Sequence, residues 1–572
     1  MKTFLAVFLA CAFLLPVLLE GKVRSIVILS DNIPLAELAI RKSAEEYGAS
    51  QIQLSHNIIH DLREIRRPKV RENVARLAKC AHSNGVKEVL AWDHNLYGLD
   101  YYPKEFRSAE GGRIDLDNSE FWEWFKNDYR EMMSNAPDID GIVLTFIETG
   151  ARVEAQHSSK MKTPAEKLAK AVNEIADVVI GEMNKKLYIR TFAYSQQEYR
   201  NIVGCIGKLK YPEIILMVKE TPHDFFLTHP DNPLVAKLNR PMVVEFDLGN
   251  EYSGQGVIAN TWVEPQTRRM KNFLKNKNVI GYAARIDRYG DTSIFDTPNE
   301  IQLFALDKSL DGDADADSLY GEFIAKNYGK KSVSLLKPAF KNALEIVKSS
   351  LYTLGTNTAD HSRLNYAENQ WAYNRHVSGR WLNPPEVFVG GAVNKKFRYW
   401  EDIVNKISPV RYKKRGSIYE REIKDVFENG LIEECERMDW DVFCDIVSEK
   451  THAVNLAKES LRLVESAKPY LREADYGEIH SLFLRTYLAA SLHAEVCKAY
   501  FGARLYSRGG EFRSGNLEHT VETAAKEIAR LAKEIKEFEE PYPKGQYDWR
   551  GDANGALRHK NMALSLIRGG EN

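Results

Sequence analysis

Two apolar, β-branched runs in the middle of the chain, EIILMV at 213–218 and MVVEF at 242–246, each lead into a charged, loop-like segment holding a carboxylate. In the first, VKETPHDFF, it is Asp224; in the second, VEFDLGNEYSGQ, it is Glu251. An earlier run, GIVLTF at Gly141, leads to Glu148, KLYIRTF at Lys186 carries Arg190, and Lys219 stands just before Asp224. Runs of this kind read as strands buried on both faces, as in a parallel sheet. In a parallel barrel the C-terminal strand ends and the loops after them build the active site, so three carboxylates and two cations would face one cavity. Hydrolysing a glycosidic bond needs an acid to protonate the departing oxygen and a base on the opposite face to activate water. A third carboxylate can share the base role or raise a neighbour's pKa, and nearby cations suit an anionic substrate. Spacing alone leaves a plainer assignment open, in which Asp224 and Glu251 only cap loops.

The elements that must position these residues follow a regular rhythm. Strands are expected at SIVIL (Ser25), QIQLS (Gln51), EVLAW (Glu88), GIVLTF (Gly141), KLYIRTF (Lys186), EIILMV (Glu213), MVVEF (Met242) and VIGYAA (Val279). Helical periodicity fills the gaps, as at 35–47, 69–82, 120–133 and 165–184. Such βα units predict an α/β chain with a (β/α)8 TIM barrel over 22–310. A doubly wound open sheet is the alternative, but no GxGxxG fingerprint or P-loop follows any strand. Beyond Pro298 the strand signal stops, and apolar residues recur at three- and four-residue intervals. That pattern predicts an α-helical domain over 311–572, with helices at 317–328, 332–352, 400–407, 418–427, 439–467, 478–504 and 517–538. An aromatic, Asn- and Arg-rich patch at 361–388 would suit either a sugar groove or an inter-domain loop.

Composition narrows the function classes. Lys plus Arg number 79 against 80 Asp plus Glu, which gives no electrostatic reason to expect nucleic acid or a membrane surface as partner. Residues 1–21 open with one Lys and an apolar run, a signal peptide or N-terminal anchor, so the chain is expected to be exported, periplasmic or extracellular. Apart from Cys11 in that run, Cys80, Cys205, Cys435, Cys444 and Cys497 are scattered and odd in number, unlike a disulfide framework or a zinc site. DGDADADSLYGE at 311–322 puts acids on a calcium-loop frame, but Ala316 stands where the turn needs Gly, and Asp317 and Ser318 suit a helix N-cap. Asn57, Trp92, Asp93 and His94 fall at strand ends where a substrate could be touched. His56 and His94 lack a three-ligand set with metal-site spacing, so no metal and no cofactor is expected. His223 could tune Asp224 or simply hydrogen-bond. The partner expected is an oligosaccharide or polysaccharide, and the amphipathic helices leave room for a homodimer through the helical domain.

DIDGIVLTFIETG, KKLYIRTFAY, VKETPHDFF and VEFDLGNEYSGQ, within about residues 110–330, resemble the family 67 α-glucuronidases, which remove glucuronate or its 4-O-methyl ether from xylan-derived oligosaccharides with inversion. The resemblance implies Glu148 as general acid, Asp224 and Glu251 as the paired basic carboxylates, and Arg190 with Lys219 as uronate-binding cations. Two departures stand against it. Leu144 replaces a further carboxylate-binding Lys, which would remove a charge-assisted hydrogen bond of roughly 1.5–3 kcal/mol, and no β-rich domain precedes the first barrel strand. Two rival functions follow: a glycosidase for another α-linked sugar, and a non-catalytic carbohydrate-binding protein on the same barrel.

Overall fold

The computed structural model describes residues 21–109, 112–146, 148–193, 196–221, 224–227, 231–288, 292–312, 315–353, 356–357, 440–541 and 549–569. The apolar N-terminal run, His223, the patch at 361–388 and the helices expected at 400–407 and 418–427 lie outside those residues.

Eight parallel strands close into a barrel in chain order. They are β1 (Val23–Ile28), β2 (Gln51–Leu54), β3 (Glu88–His94), β4 (Gly141–Thr145), β5 (Lys186–Arg190), β6 (Ile215–Lys219), β7 (Met242–Asp247) and β8 (Val279–Arg285). After each comes a helix: α1 (Ile33–Tyr47), α2 (Pro68–Ser83), α3 (Ser119–Ser134), α4 (Pro164–Ala176), α5 (Gln196–Ile206), α6 (Pro233–Lys237), α7 (Glu264–Phe273) and α8 (Ile301–Asp311). Local chemistry sets the helix ends. Asn32 accepts from the Leu35 amide to start α1, Gly48 ends it at φ 59°, and Thr163 with Glu166 forms a reciprocal capping box on α4.

Strand alternation decides what each residue faces, because successive side chains point to opposite sides of the sheet. Val27, Leu90, Trp92, Val143, Tyr188, Met217, Val243 and Ala283 fill the barrel interior. Their neighbours Ile28, Ala91, Ile142, Leu144, Ile189, Val218, Val244 and Ala284 point outward and pack under the helices, each such burial contributing about 1.5–3 kcal/mol for the larger side chains. Two residues further along, the inward face turns polar at the C-terminal rim. His94 and Thr145 pair across β3 and β4, Lys219 and Glu245 across β6 and β7, and Asp247 and Arg285 across β7 and β8.

A helical region follows: α9 (Ala316–Tyr328), α10 (Val333–Ser350), a short hairpin of β9 (Tyr352–Thr353) and β10 (Thr356–Asn357), then α11 (Trp440–Ala467), α12 (Glu473–Ser507), α13 (Gly515–Glu539) and α14 (Arg550–Ile567). The last of these, α14, and the hairpin were not expected. The acidic calcium-loop frame is divided among ordinary roles. Asp315, rather than Asp317, caps α9 by accepting from the Ser318 amide, Asp317 pairs with Lys337 and Lys341, and Asp311 pairs with Arg24.

The helical region grips the barrel at two loops. Phe225, Phe226, Tyr252 and Ile258, from the loops after β6 and β7, belong to the same apolar core as Phe340, Phe483 and Leu492. The Tyr352 hydroxyl accepts from the Leu227 amide at 3.1 Å and donates to the Tyr252 carbonyl at 2.9 Å. Tyr352 is itself held by the buried Lys450 ammonium, which donates to its carbonyl and to that of Ser349. Among the described residues no helix is long and apolar enough to cross a membrane.

Candidate active site

The rim from β5 to β8 is a connected wall of charge. Arg190 donates twice to Glu245, at 2.7 and 2.9 Å, with both side chains buried, and its guanidinium lies 4.9 Å from the ring centres of Trp92 and Phe192. Lys219 donates to Asp224 at 2.6 Å and sits 3.4 Å from the centre of the Phe192 ring. Burial lowers the Lys219 pKa, and the opposing charge of Asp224 limits the fall. The other Asp224 oxygen accepts from the Tyr252 hydroxyl at 2.8 Å. Glu251 is held by Arg285 at 3.2 Å and Arg288 at 2.8 Å. Burial disfavours the charge on Arg285, but Glu251, Asp247, Glu245 and Asp224 outweigh it and raise its pKa. Arg285 thus contacts Glu251 directly and feels the charge of Asp224 at longer range.

Two further carboxyls complete the wall. Asp247 accepts from the Glu251 amide at 2.6 Å through one oxygen, while its other oxygen is buried without a hydrogen-bond partner. Burial raises its pKa, and the neighbouring Glu251 charge adds to the rise against the pull of Arg285. Asp287 accepts from the amides of Leu29 and Ser30, and burial pushes it up to about 7. Gly249 lets the loop carrying Glu251 lie against this strand end, since a Cβ there would stand 2.4 Å from the Asp287 carbonyl oxygen.

From β2 to β4 the rim is built differently. Glu148, three strands round from β7, is exposed and held at φ 62°, a left-handed conformation that costs a non-glycine residue about 1–2 kcal/mol. His56 after β2 has φ 45°, and Asn250 and Gln255 flank Glu251 at 56° and 54°. Non-glycine residues in such conformations gather at functional sites, where the surroundings hold the strain. The His60 ring lies 4.3 Å from that of His94 and 6.4 Å from that of His56, which in turn is 5.5 Å from Trp92. Burial and the His94 charge lower the His60 pKa, and Asp61, Glu64 and Glu148 act against them. Glu148 is therefore within electrostatic reach of His60, and Glu251 of His56. Asn95, the residue after His94, is 1% exposed with neither amide atom hydrogen-bonded, and the Thr145 hydroxyl is likewise unpartnered. Gly150 allows the Glu148 loop to press on the loop after β3, where a Cβ would come 2.6 Å from the Gly98 amide nitrogen.

Several expected contacts need correction. Asp93 points outward, fully buried, and accepts from the hydroxyls of Tyr97 and Tyr129 and the Leu62 amide. With burial raising its pKa to about 6, it packs the wall and does not face a substrate. Leu144 also points outward, so a cation at that position would not enter the cavity. Arg190 and Lys219 do reach the rim, but Glu245 and Asp224 already engage them, which leaves less to offer an incoming uronate than two open cations would. Trp92 and His94 face inward as expected. Sequence reading missed Glu245, Asp247, Arg285, Arg288, His60 and Asp61. Two-residue alternation from Val243 and Ala283 would have found Glu245, Asp247 and Arg285; the loop residues carry no such signal.

Among the described residues, His60, Asp61 and His94 each offer a ligand atom, all within 4.8 Å of one another. No three-ligand set was expected around His94, because the loop after β2 was not linked to the end of β3.

No protein-family model matches the chain, and no curated protein does. Solved structures resemble it at low sequence identity. A GH138 enzyme targeting pectin rhamnogalacturonan II is 11% identical, with a TM-score of 0.50 over 96% of this chain and 66% of that one. A GH115 4-O-methyl-α-glucuronidase with specificity for decorated arabinogalactans is 10% identical, with a TM-score of 0.45 over 96% of this chain and 62% of the other. A GH18 chitinase from Pseudoalteromonas aurantia matches 50% of this chain at 14% identity and a TM-score of 0.32. The chain thus spans slightly under two thirds of the length of the first two. At 11% identity the likeness to the GH138 enzyme is one of fold alone.

Proposed function

We propose that this chain is a glycoside hydrolase that releases an α-linked glucuronic acid, or a related uronic acid, from plant-type oligosaccharides or polysaccharides by single displacement with inversion. The observation that carries the reading is the division of the rim. Asp224 is held by Lys219 and Tyr252 and Glu251 by Arg285 and Arg288 on the β6–β8 side, and Glu148 stands exposed in a strained backbone just after β4. In this mechanism Glu148 protonates the leaving oxygen while Asp224 and Glu251 orient a water and take its proton. Arg288, with 20% of its side chain exposed against 3–4% for Arg190, Lys219 and Arg285, is the wall cation best placed to meet the substrate carboxylate. The motif resemblance to family 67 α-glucuronidases supports the same assignment. Export through the N-terminal apolar run belongs to this reading, since such polysaccharides lie outside the cell.

The engagement of Arg190 and Lys219 by carboxylates favours a second reading, a glycosidase for a neutral α-linked sugar. One experiment separates them: the purified full chain is given glucuronoxylan fragments and a panel of uronate-bearing and neutral oligosaccharides, and the first-formed anomer is followed by NMR. Uronic acid appearing first as the β-anomer is the expected result. Release of neutral sugars only would replace the first reading with the second, retention of configuration would remove single displacement, and binding without turnover would make the chain a carbohydrate-binding protein.

A further inference from the structure

We propose that His60, Asp61 and His94 form a binding site for one divalent transition-metal ion of the zinc class on the β2–β4 side of the barrel mouth. His60 and Asp61 lie on the loop after β2 and His94 ends β3, which the barrel places side by side, and their ligand atoms lie within 4.8 Å of one another. His94 is prepared for the role by its hydrogen bonds. Its Nδ1 lies 2.9 Å from an Asp61 carboxylate oxygen and 3.1 Å from the His60 carbonyl oxygen. Nδ1 and that Asp61 oxygen are therefore already close to the spacing of two donors on one zinc ion, and the ion takes the place of the proton between them, as metal binding to an imidazole and a carboxylate releases it.

The remaining donor needs only a small movement. His60 is exposed, with its ring centre 4.3 Å from that of His94, and rotation of an exposed ring brings its nitrogen to the roughly 2.0–2.1 Å that zinc requires. The second Asp61 oxygen is shared with Arg63 at 3.0 Å. That guanidinium also lies 4.7 Å from the Tyr97 ring centre and 5.3 Å from that of Tyr101, so it keeps a resting place when it gives up the carboxylate. Two imidazoles and one carboxylate select zinc, cobalt or nickel over calcium or magnesium, which prefer all-oxygen ligands. Three protein donors leave a fourth position open to water or to a sugar hydroxyl. The site does not depend on the proposed hydrolysis, because Glu148 is not one of the ligands.

The test uses tag-free full-length protein stripped with chelator and titrated with zinc chloride by calorimetry. A parallel titration with cobalt chloride is read by visible absorption, which reports coordination by nitrogen and oxygen ligands. One equivalent of zinc is expected to bind, with affinity at least tenfold lower in His60→Ala and with the cobalt band lost in that variant. His60 is exposed, so His60→Ala should keep the wild-type melting temperature, measured alongside. Arg63→Ala, which removes the competitor for Asp61, should bind zinc at least as tightly as the wild type. Absence of zinc binding to the wild type, equal affinity in wild type and His60→Ala, or an unchanged cobalt spectrum would each overturn the proposal.

Discussion

The two sides of the barrel mouth solve different problems with similar residues. From β5 to β8 nearly every charged side chain is buried against an opposite charge, as in Arg190 with Glu245, Lys219 with Asp224, and Glu251 between Arg285 and Arg288. From β2 to β4 the carboxylate of Glu148 is exposed, and its backbone is held in a left-handed conformation. The first side is a rigid field that fixes where charge can develop. On the proposed mechanism, the second is where the leaving oxygen receives its proton. Substitutions that break the Arg190–Glu245 pair should therefore act through stability, and those at Glu148 through turnover.

The sharpest contrast comes from Glu148→Gln. General acid catalysis contributes about 10²–10⁴-fold, and turnover on the released-sugar assay should fall by that factor with no change in melting temperature. A variant that melts early would place Glu148 with the wall instead. Next in size is Arg190→Ala, which strands the Glu245 carboxylate in the interior. Removing one partner of a buried pair costs about 3–5 kcal/mol, measurable as a lower urea midpoint, and a stable variant that only binds substrate poorly would break the comparison.

Buried acids provide a third, graded test. Burial pushes Asp93 up to about 6, Asp287 and Glu478 up to about 7, and raises Asp247 as well. Their unfolded-state values lie near 4, so the folded chain binds more protons between about pH 4 and 7. These groups then lower stability as pH rises through that window. Urea midpoints at pH 5 and pH 8 should differ in that direction, and the difference should shrink in Asp287→Asn; an unchanged difference would remove Asp287 from the account. The smallest expected effect is a gain. Glu148→Gly relieves the left-handed backbone and should keep or raise stability by about 1 kcal/mol while abolishing turnover. A loss comparable to that of Arg190→Ala would show that the two sides are not distinct.

Much of the fold was legible because it depends on local periodicity. The eight apolar runs became the eight strands, and alternation within them already determined that Leu144 faces the helices while Arg190 faces the cavity. Asp93 was misplaced as a substrate contact because the end of a strand was treated as a place, without asking which side the side chain takes. The wall of ion pairs was missed for another reason: Glu245 and Arg190 are 55 residues apart in sequence, and their meeting is a property of the closed barrel. The His60, Asp61 and His94 group needed the same closure. Helix α14 escaped because its buried apolar residues are mostly alanines, Ala553, Ala556 and Ala563 beside Ile567, which leave a faint stripe.

A single phenol bridges the backbones of the two segments that bear Asp224 and Glu251. Tyr352 belongs to neither segment, and it is anchored by a lysine from a distant helix. Warming that loosens the C-terminal helices would therefore release both carboxylate-bearing segments at once, well before the strands part. Heat inactivation of this chain should follow the melting of its helices, leaving an intact but idle barrel behind.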